Sequence, residues 1–178
     1  MNIFKTKFNE GLRFGLLKLI FNIFLITVIS CKKEDNGIYF NETREEINID
    51  NVTFSQIEIE IETLLNKYRE SKALPSLSSL IVISSVADDH TNYMIQEGKV
   101  SHDNFSIRSE KLIINTNAKS VAENLAYGYN SSGGVLAGWL NSDAHKRIIE
   151  NPNFTHFGIS VMRNSEDRNY FTLILIQI

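Results

Sequence analysis

Three side chains of this sequence are well suited to acid–base or metal chemistry, namely His102, Glu123 and His145. Imidazole nitrogens and carboxylate oxygens bind zinc, and three such ligands leave one position open for water. Zinc-bound water loses a proton near neutral pH, so this trio could support hydrolysis. The sequence has no His-Glu-x-x-His helix, in which the helix itself sets the ligand spacing. The folded elements must therefore bring the three side chains together.

The first predicted helix begins near Ser55. Its apolar residues recur at helical spacing and form one face; they are Ile57, Ile61, Leu64, Leu65 and Tyr68. Pro75 excludes the residue before it from helical geometry and so ends the helix. We therefore expect a helix that packs one apolar face against the rest of the domain.

A second helix is predicted directly before the first histidine. Ser78 or Ser79 is expected to cap its beginning, and Gly98 is expected to end it in the left-handed conformation. His102 then lies in the loop that follows. A further short helix is predicted at 105–114.

The second histidine is predicted to lie on a short helix of its own. A helix beginning at Gly133 carries Trp139, and Ser142 or Asp143 can cap a continuation that includes His145. This arrangement places His145 close to the tryptophan, which we expect to be an anchor of the hydrophobic core.

The C-terminal part of the chain predicts a β-hairpin. Phe157, Ile159 and Val161 alternate with smaller or more polar residues, 164–169 is a polar turn, and 170–178 is almost continuously apolar. Helices first and strands last, without a β-α-β rhythm, indicate an α+β domain with helices packed on an antiparallel sheet.

The N-terminus has the pattern of a secretory signal at residues 1–30. Four basic residues precede an apolar run at 19–30 that is shorter than the roughly twenty residues of a spanning helix. The run ends directly before Cys31, the only cysteine, and resembles the lipobox of bacterial lipoproteins. The resemblance implies cleavage before Cys31, lipidation of its sulfur and attachment to the membrane. The alternative is that Cys31 is a free thiol on a membrane-anchoring helix.

Residues 31–53 are polar and predict a flexible tether, followed by one folded domain at 54–178. The charged run at 32–35 (KKED) resembles the export signals of some Gram-negative surface lipoproteins. We therefore predict a lipid-anchored protein of the outer membrane, facing the periplasm or the cell surface.

The charge of the chain argues against a nucleic-acid partner. Residues 1–30 contain four basic residues and one acidic residue, so without them the net charge falls from -3 to -6. Binding to phosphates needs a basic patch, which such a balance does not favour.

Seven segments of the folded part, taken in order, resemble the bacterial branch of the CAP superfamily, which includes the cysteine-rich secretory proteins, the antigen-five allergens and the plant pathogenesis-related proteins. The resemblance covers roughly residues 64–172. The segments are 65–69 (LNKYR), 74–77 (LPSL), 89–94 (DHTNYM), 101–102 (SH), 122–128 (AENLAYG), 139–149 (WLNSDAHKRII) and 151–160 (NPNFTHFGIS).

This resemblance implies an α-β-α sandwich with a central cleft lined by two histidines and acidic residues. His102 and His145 match the two cleft histidines, and Glu123 matches the glutamate of a Gly-Glu-Asn motif. Asn124 and Ser142 are expected to line the same cleft, with zinc as the cofactor if His102, Glu123 and His145 act as ligands. Glu123 has an alternative, purely structural interpretation, in which it accepts hydrogen bonds from nearby backbone groups.

Three positions depart from the family pattern. Ala122 stands where glycine is usual, and Asn141 and Ser142 stand where the eukaryotic members have a second glutamate. Leu173 replaces the usual glutamine of the last strand. The last two changes remove polar groups from the cleft and favour binding over catalysis.

The remaining histidines are not expected to be ligands. His90 lies on an apolar helix face and is predicted to be in the core, whereas His156 is predicted to be exposed on a strand. Ser101 and Ser142 lie near the two histidines, but no Gly-x-Ser-x-Gly turn presents either serine as a nucleophile.

Three functions are therefore compatible with the sequence. The first is a non-catalytic envelope module that binds a lipid, a glycan or a protein in the cleft. The second is a zinc-dependent hydrolase that acts on peptide or cell-wall material. The third is a surface interaction protein whose cleft has lost its role. The sequence leaves the ligand and the oligomeric state open.

Overall fold

A computed structural model of the protein describes residues 46–178. This part of the chain contains five helices and four strands. In chain order they are α1 (Gln56–Ser71), β1 (Ser78–Ser79), α2 (Ile81–Glu97), α3 (Phe105–Thr116), β2 (Ser120–Tyr127), α4 (Ser132–Leu140), α5 (Asp143–Ile149), β3 (His156–Arg163) and β4 (Asn169–Gln177).

The strands form one sheet in the order β1-β3-β4-β2. β3 and β4 are the predicted antiparallel hairpin, and β2 pairs antiparallel with β4 along its whole length. β1 pairs parallel with β3 through only two residues, so the sheet is mixed and not purely antiparallel as predicted. Within residues 46–178, β2 lies at one edge of the sheet, so only one of its sides is paired with another strand.

Helices cover both faces of the sheet and form the predicted α-β-α sandwich. On one face α2 and α3 bury Ile83, Val86 and Leu112 against Ile174 and Ile176 of β4. The other face packs against α1, α4 and α5; its buried residues include Ile61, Leu65, Trp139, Ile149, Phe171, Leu173 and Leu175. Alternate residues of β4 face opposite layers, which explains why this strand is apolar almost throughout.

The first helix begins where the sequence predicts. The backbone N–H and the hydroxyl of Ser55 both donate to Glu58 Oε2, at 2.6 and 2.7 Å. Glu58 Oε1 accepts a hydrogen bond from the backbone N–H of Val161 in β3, at 2.7 Å. One buried carboxylate therefore stabilises the helix start and fixes it to the sheet.

Two side chains of α1 fix the end of α5. Arg69 is fully buried, and its Nη1 donates to the carbonyl oxygens of Ile149 (2.6 Å) and Asn151 (3.1 Å). The Tyr68 hydroxyl donates to Glu150 Oε1 at 2.6 Å, and this hydrogen bond raises the pKa of Tyr68 to about 12. The last carbonyl groups of a short helix thus gain partners from another helix.

The second helix begins later than predicted, since Ser78 and Ser79 form β1 and Leu80 occupies the N-cap position of α2. Its end is confirmed, because Gly98 adopts a φ of 66° and closes the helix. The strand β2 is a correction to the sequence analysis, which predicted only the two strands of the hairpin. Its polar pair, Glu123 and Asn124, interrupts the apolar alternation that marks a strand.

Ordered packing begins before the predicted domain boundary at residue 54. Ile47 is 8% exposed and packs with the α2 and α3 layer, and the Ser85 hydroxyl donates to the carbonyl oxygen of Asn48 at 2.7 Å. The predicted signal at 1–30, Cys31 and the tether up to residue 45 lie outside the described residues. No helix within 46–178 has the length and apolar character needed to cross a bilayer.

Candidate binding cleft beside the edge strand

The centre of the candidate site is the carboxylate of Glu123. Glu123 lies on β2, and its side chain is 1% exposed. Arg108, in the first turn of α3, donates from Nε to Glu123 Oε2 (3.0 Å) and from Nη2 to Oε1 (2.9 Å). This two-point ion pair compensates the buried charge and fixes α3 against the edge strand.

His102 completes the set of donors around that carboxylate. Its Nδ1 lies 2.8 Å from Glu123 Oε1, while 56% of its side chain is exposed. Because Oε1 and Oε2 already accept from Arg108 and belong to an ionised group, Nδ1 must be the donor in this hydrogen bond. With Nδ1 as the donor, Nε2 of the uncharged tautomer is a hydrogen-bond acceptor.

His90 supports the loop that carries His102. It is 2% exposed, as predicted for a core histidine, and its Nε2 donates to the carbonyl oxygen of Ser101 at 2.9 Å. Burial lowers the pKa of His90, although the charge of Glu123, at 3.9 Å, opposes this effect. A neutral His90 thus holds the residue directly before His102.

His145, the second histidine predicted to line the cleft, belongs to the opposite helical layer. It lies on α5, and both α3 and α5 contact the edge strand β2. Burial lowers the pKa of His145, and positive charge on His102 lowers it further. The two predicted histidines therefore lie close enough for a charge on His102 to affect His145.

Asn124 links β2 to the helix that carries His145. Its Nδ2 donates to the carbonyl oxygen of His145 at 3.1 Å, whereas its buried Oδ1 has no hydrogen-bond partner within residues 46–178. Ser142 occupies the N-cap position of α5. Trp139 is 1% exposed, and its Nε1 donates to the carbonyl oxygen of Leu125 at 3.0 Å, so the predicted core anchor also fixes α4 to β2.

The side chains as placed do not fit a zinc ion bound by His102, Glu123 and His145. Both oxygens of Glu123 accept hydrogen bonds from Arg108, and His102 turns Nδ1 toward the same carboxylate. Within residues 46–178, no three His, Cys, Asp or Glu side chains are grouped so that they could hold a metal ion. Zinc binding by this trio stays a prediction, and it would require Glu123 to exchange a cationic partner for the metal.

Arg108 is the important residue of the site that the sequence analysis missed. A weak signal was present, because Arg108 and Leu112 lie four residues apart and are the buried positions of α3. An arginine in register with a buried leucine indicates that a carboxylate lies nearby. The structural interpretation of Glu123 was closer to the geometry, although its donors are side chains and not the expected backbone groups.

The other residues singled out from the sequence have simpler environments. Leu173 is fully buried and pairs with Asn124 across the β2–β4 ladder, so the position contributes to the core. His156 begins β3 and is half-buried, where full exposure was expected; its Nδ1 lies 2.9 Å from the Thr155 hydroxyl. Neither residue adds a polar group to the cleft.

Comparison with known proteins agrees with this fold. Residues 63–175 match the model of the family described as CAP, cysteine-rich secretory protein family. The uncharacterized membrane protein YlbC of Bacillus subtilis (strain 168) is 30% identical over 118 residues, which are 65% of this chain and 33% of YlbC. The matched residues therefore cover about a third of the length of that relative.

Two solved structures share the architecture. An outer surface protein from Borrelia burgdorferi has a TM-score of 0.62 at 17% identity, with 70% of this chain and 96% of that chain covered. An extracellular protein containing a SCP domain from Bacillus anthracis str. Ames has a TM-score of 0.60 at 26% identity, with 68% of this chain and 40% of that chain covered. These similarities extend over most of the described part of the chain.

Proposed function

Because this chain belongs to the cysteine-rich secretory protein family, CAP, we propose that it is an extracytoplasmic ligand-binding module of the cell envelope. The outer surface and extracellular proteins that share its fold support a location outside the cytoplasm. The signal pattern at 1–30 and Cys31 support a lipid anchor, in the outer membrane of a Gram-negative-type cell. On this proposal the ligand is a lipid, a glycan or a protein of the envelope.

The hydrogen bond from His102 to Glu123 carries the proposal of a binding cleft. It fixes an exposed imidazole through a buried carboxylate that Arg108 also holds. A side chain fixed in this way loses little conformational entropy when a ligand binds. The neighbouring His145, with its lowered pKa, adds a second imidazole that is neutral at neutral pH.

The expected ligand contributes hydrogen-bond donors to the cleft. Because Nδ1 of His102 donates to Glu123, Nε2 of the uncharged tautomer can accept hydrogen bonds, so hydroxyl, amide N–H or ammonium groups suit it. Glu123 forms an ion pair with Arg108, so its carboxylate is poorly suited to act as a base or nucleophile. These features favour binding over hydrolysis.

The test compares ligand binding by the wild-type chain and by a His102→Ala, His145→Ala double variant. The immobilised full chain is exposed separately to a total envelope lipid extract, to soluble cell-wall glycan and to solubilised envelope protein. We expect one fraction to be retained by the wild type and lost from the double variant. Equal retention by both chains would contradict the cleft proposal and support the interaction protein with a cleft that has lost its role.

A zinc titration by calorimetry distinguishes the proposed ligand-binding module from the alternative, a zinc-dependent hydrolase. We expect no one-to-one zinc binding that depends on both histidines, because Glu123 already accepts hydrogen bonds from Arg108 and His102. One-to-one binding that is lost in both His102→Ala and His145→Ala, together with zinc-dependent cleavage of peptide or cell-wall material, would overturn the proposal. Arg108→Ala, which frees Glu123, serves as the comparison variant.

A further inference from the structure

A cavity of about 440 Å³ opens between the first turn of α1, the β2–α4 loop and the adjoining ends of β3 and β4. Its volume falls within the range of about 300–1,000 Å³ that is typical of small-ligand pockets. Polar groups on its walls include Gln56, Glu60, Asn130, Ser131 and Arg163. The cavity shares no lining residue with the cleft of His102, Glu123 and His145, so it is a separate place on the domain.

Hydrogen bonds between different elements hold the cavity walls in place. The Ser132 hydroxyl donates to Glu60 Oε2 at 2.9 Å and connects α4 to α1. The Asn169 Nδ2 donates to the carbonyl oxygen of Tyr129 at 2.9 Å and connects β4 to the β2–α4 loop. Glu60, Ser132 and Asn169 are therefore positioned before a ligand arrives, which lowers the entropy cost of binding.

Several of these groups keep hydrogen-bonding capacity for a ligand. Each Glu60 oxygen accepts one hydrogen bond, from Gln56 Nε2 (3.1 Å) or from Ser132 (2.9 Å), and a carboxylate oxygen can accept another. The side chain of Asn130 is exposed at the cavity, and its amide can both donate and accept. The Ser131 oxygen accepts from the backbone N–H of Gly134, which leaves its O–H able to donate.

The charge of the cavity favours a neutral or cationic ligand. Hydrogen bonds from Gln56 and then Ser132 lower the pKa of Glu60, so this carboxylate is ionised at neutral pH. The guanidinium of Arg163 is already paired with Asp167, which lies 2.7 Å away. Glu60 therefore contributes a negative charge that, within residues 46–178, forms no salt bridge with a basic side chain, and this charge would repel an acidic ligand.

We propose that this cavity binds a neutral or amino sugar. A carboxylate, an amide and a hydroxyl on hydrogen-bonded walls match the neighbouring hydroxyl groups of a sugar ring, while Ile57 and Val161 offer apolar surface to its C–H groups. The amine of an amino sugar would gain an additional ionic hydrogen bond to Glu60. This second site does not depend on ligand binding in the histidine cleft.

The test measures binding of glucosamine, N-acetylglucosamine and glucuronic acid to the full chain by calorimetry and ligand-observed NMR. Glucosamine and N-acetylglucosamine are expected to bind, and glucuronic acid is not. Glu60→Gln should weaken glucosamine binding by about tenfold, the equivalent of one charged hydrogen bond. Asn130→Ala should weaken both sugars, whereas Glu62→Gln, on the same helix but outside the cavity, and His102→Ala should leave binding unchanged.

Four results would overturn the proposal. They are the absence of sugar binding by the wild type, equally tight binding of glucuronic acid, unchanged binding by both Glu60→Gln and Asn130→Ala, and loss of binding in His102→Ala. The last result would place the sugar in the histidine cleft and would support the proposed function instead.

Discussion

Glu123 accepts three hydrogen bonds in an environment from which water is almost excluded. Two come from Arg108 and one from His102, so the buried negative charge is compensated by residues on α3 and on the loop before it. Removing one partner from such a cluster is costly, because the other charge remains buried. The exposed histidine therefore depends on an arginine that is itself buried.

Arg108→Ala is expected to lower the free energy of unfolding by about 3 kcal/mol, the usual cost of breaking a buried ion pair. Chemical denaturation measures the change. Arg163→Ala is the control, since its pair with Asp167 is exposed on both sides and should contribute less than about 1 kcal/mol. Equal effects of the two substitutions would contradict the assigned role of Arg108.

The free energy of unfolding is expected to decrease as pH falls below about 6.5, the ordinary pKa of a histidine side chain. Burial lowers the pKa of both His90 and His145 in the folded chain, so the unfolded chain binds these protons first. The stability that these two histidines contribute is fully present above their pKa in the unfolded chain. It is lost as pH falls toward their lower pKa values in the folded chain. Urea denaturation at a series of pH values measures it, and His145→Gln should reduce the slope. An unchanged slope in that variant would exclude His145 as a source.

Sequence patterns predicted the elements whose residues have one clear periodicity. The face of α1 and the β3–β4 hairpin follow directly from apolar spacing, and Gly98 ends α2 as expected. The sequence analysis did not predict β2, because Glu123 and Asn124 stand where an apolar alternation would continue. These polar residues are tolerated in the strand because they form hydrogen bonds to Arg108 and His145 on other elements, which the sequence pattern does not show. The histidines of the site could be located by resemblance, but the ion pair that fixes one of them depends on tertiary contacts.

Gly158 shows how closely α2 and β3 approach each other. A Cβ at this position would overlap the backbone nitrogen of Ser84 and the carbonyl carbon of Ile83. Gly158→Ala is therefore expected to destabilise the domain by about 1–3 kcal/mol, as in other overpacked cores. Gly133→Ala is a matched control, because a Cβ there meets no atom within 4 Å. Thermal and urea denaturation of the two variants should differ clearly; similar stability would contradict the close packing.

The domain as a whole has two hydrophobic layers that share one sheet. β4 contributes to both layers, with Ile174 and Ile176 on one side and Leu173 and Leu175 on the other. The segment before α1 adds Ile47 to the layer of α2 and α3. The described residues before the first helix thus contribute to stability and are not only a connection.

Ile47→Ala is expected to lower the free energy of unfolding by about 2 kcal/mol, because a buried isoleucine loses most of its apolar contact. Ile49→Ala is the matched control: Ile49 is 39% exposed and should contribute less. Denaturation of the full chain measures both. Equal, small effects would show that the segment does not pack on α2 in solution.

The buried guanidinium of Arg69 also has a consequence for the rate at which α5 opens. A helix of seven residues is too short to be stable alone. Arg69 nevertheless donates a hydrogen bond to the carbonyl oxygen of Ile149, the last residue of α5. The helix can therefore unwind only if this fully buried cation loses a hydrogen-bond acceptor. Hydrogen–deuterium exchange of the α5 amides should therefore be as slow as that of β4 and should accelerate in Arg69→Met. His145 would then be held in position by a residue on the first helix of the domain.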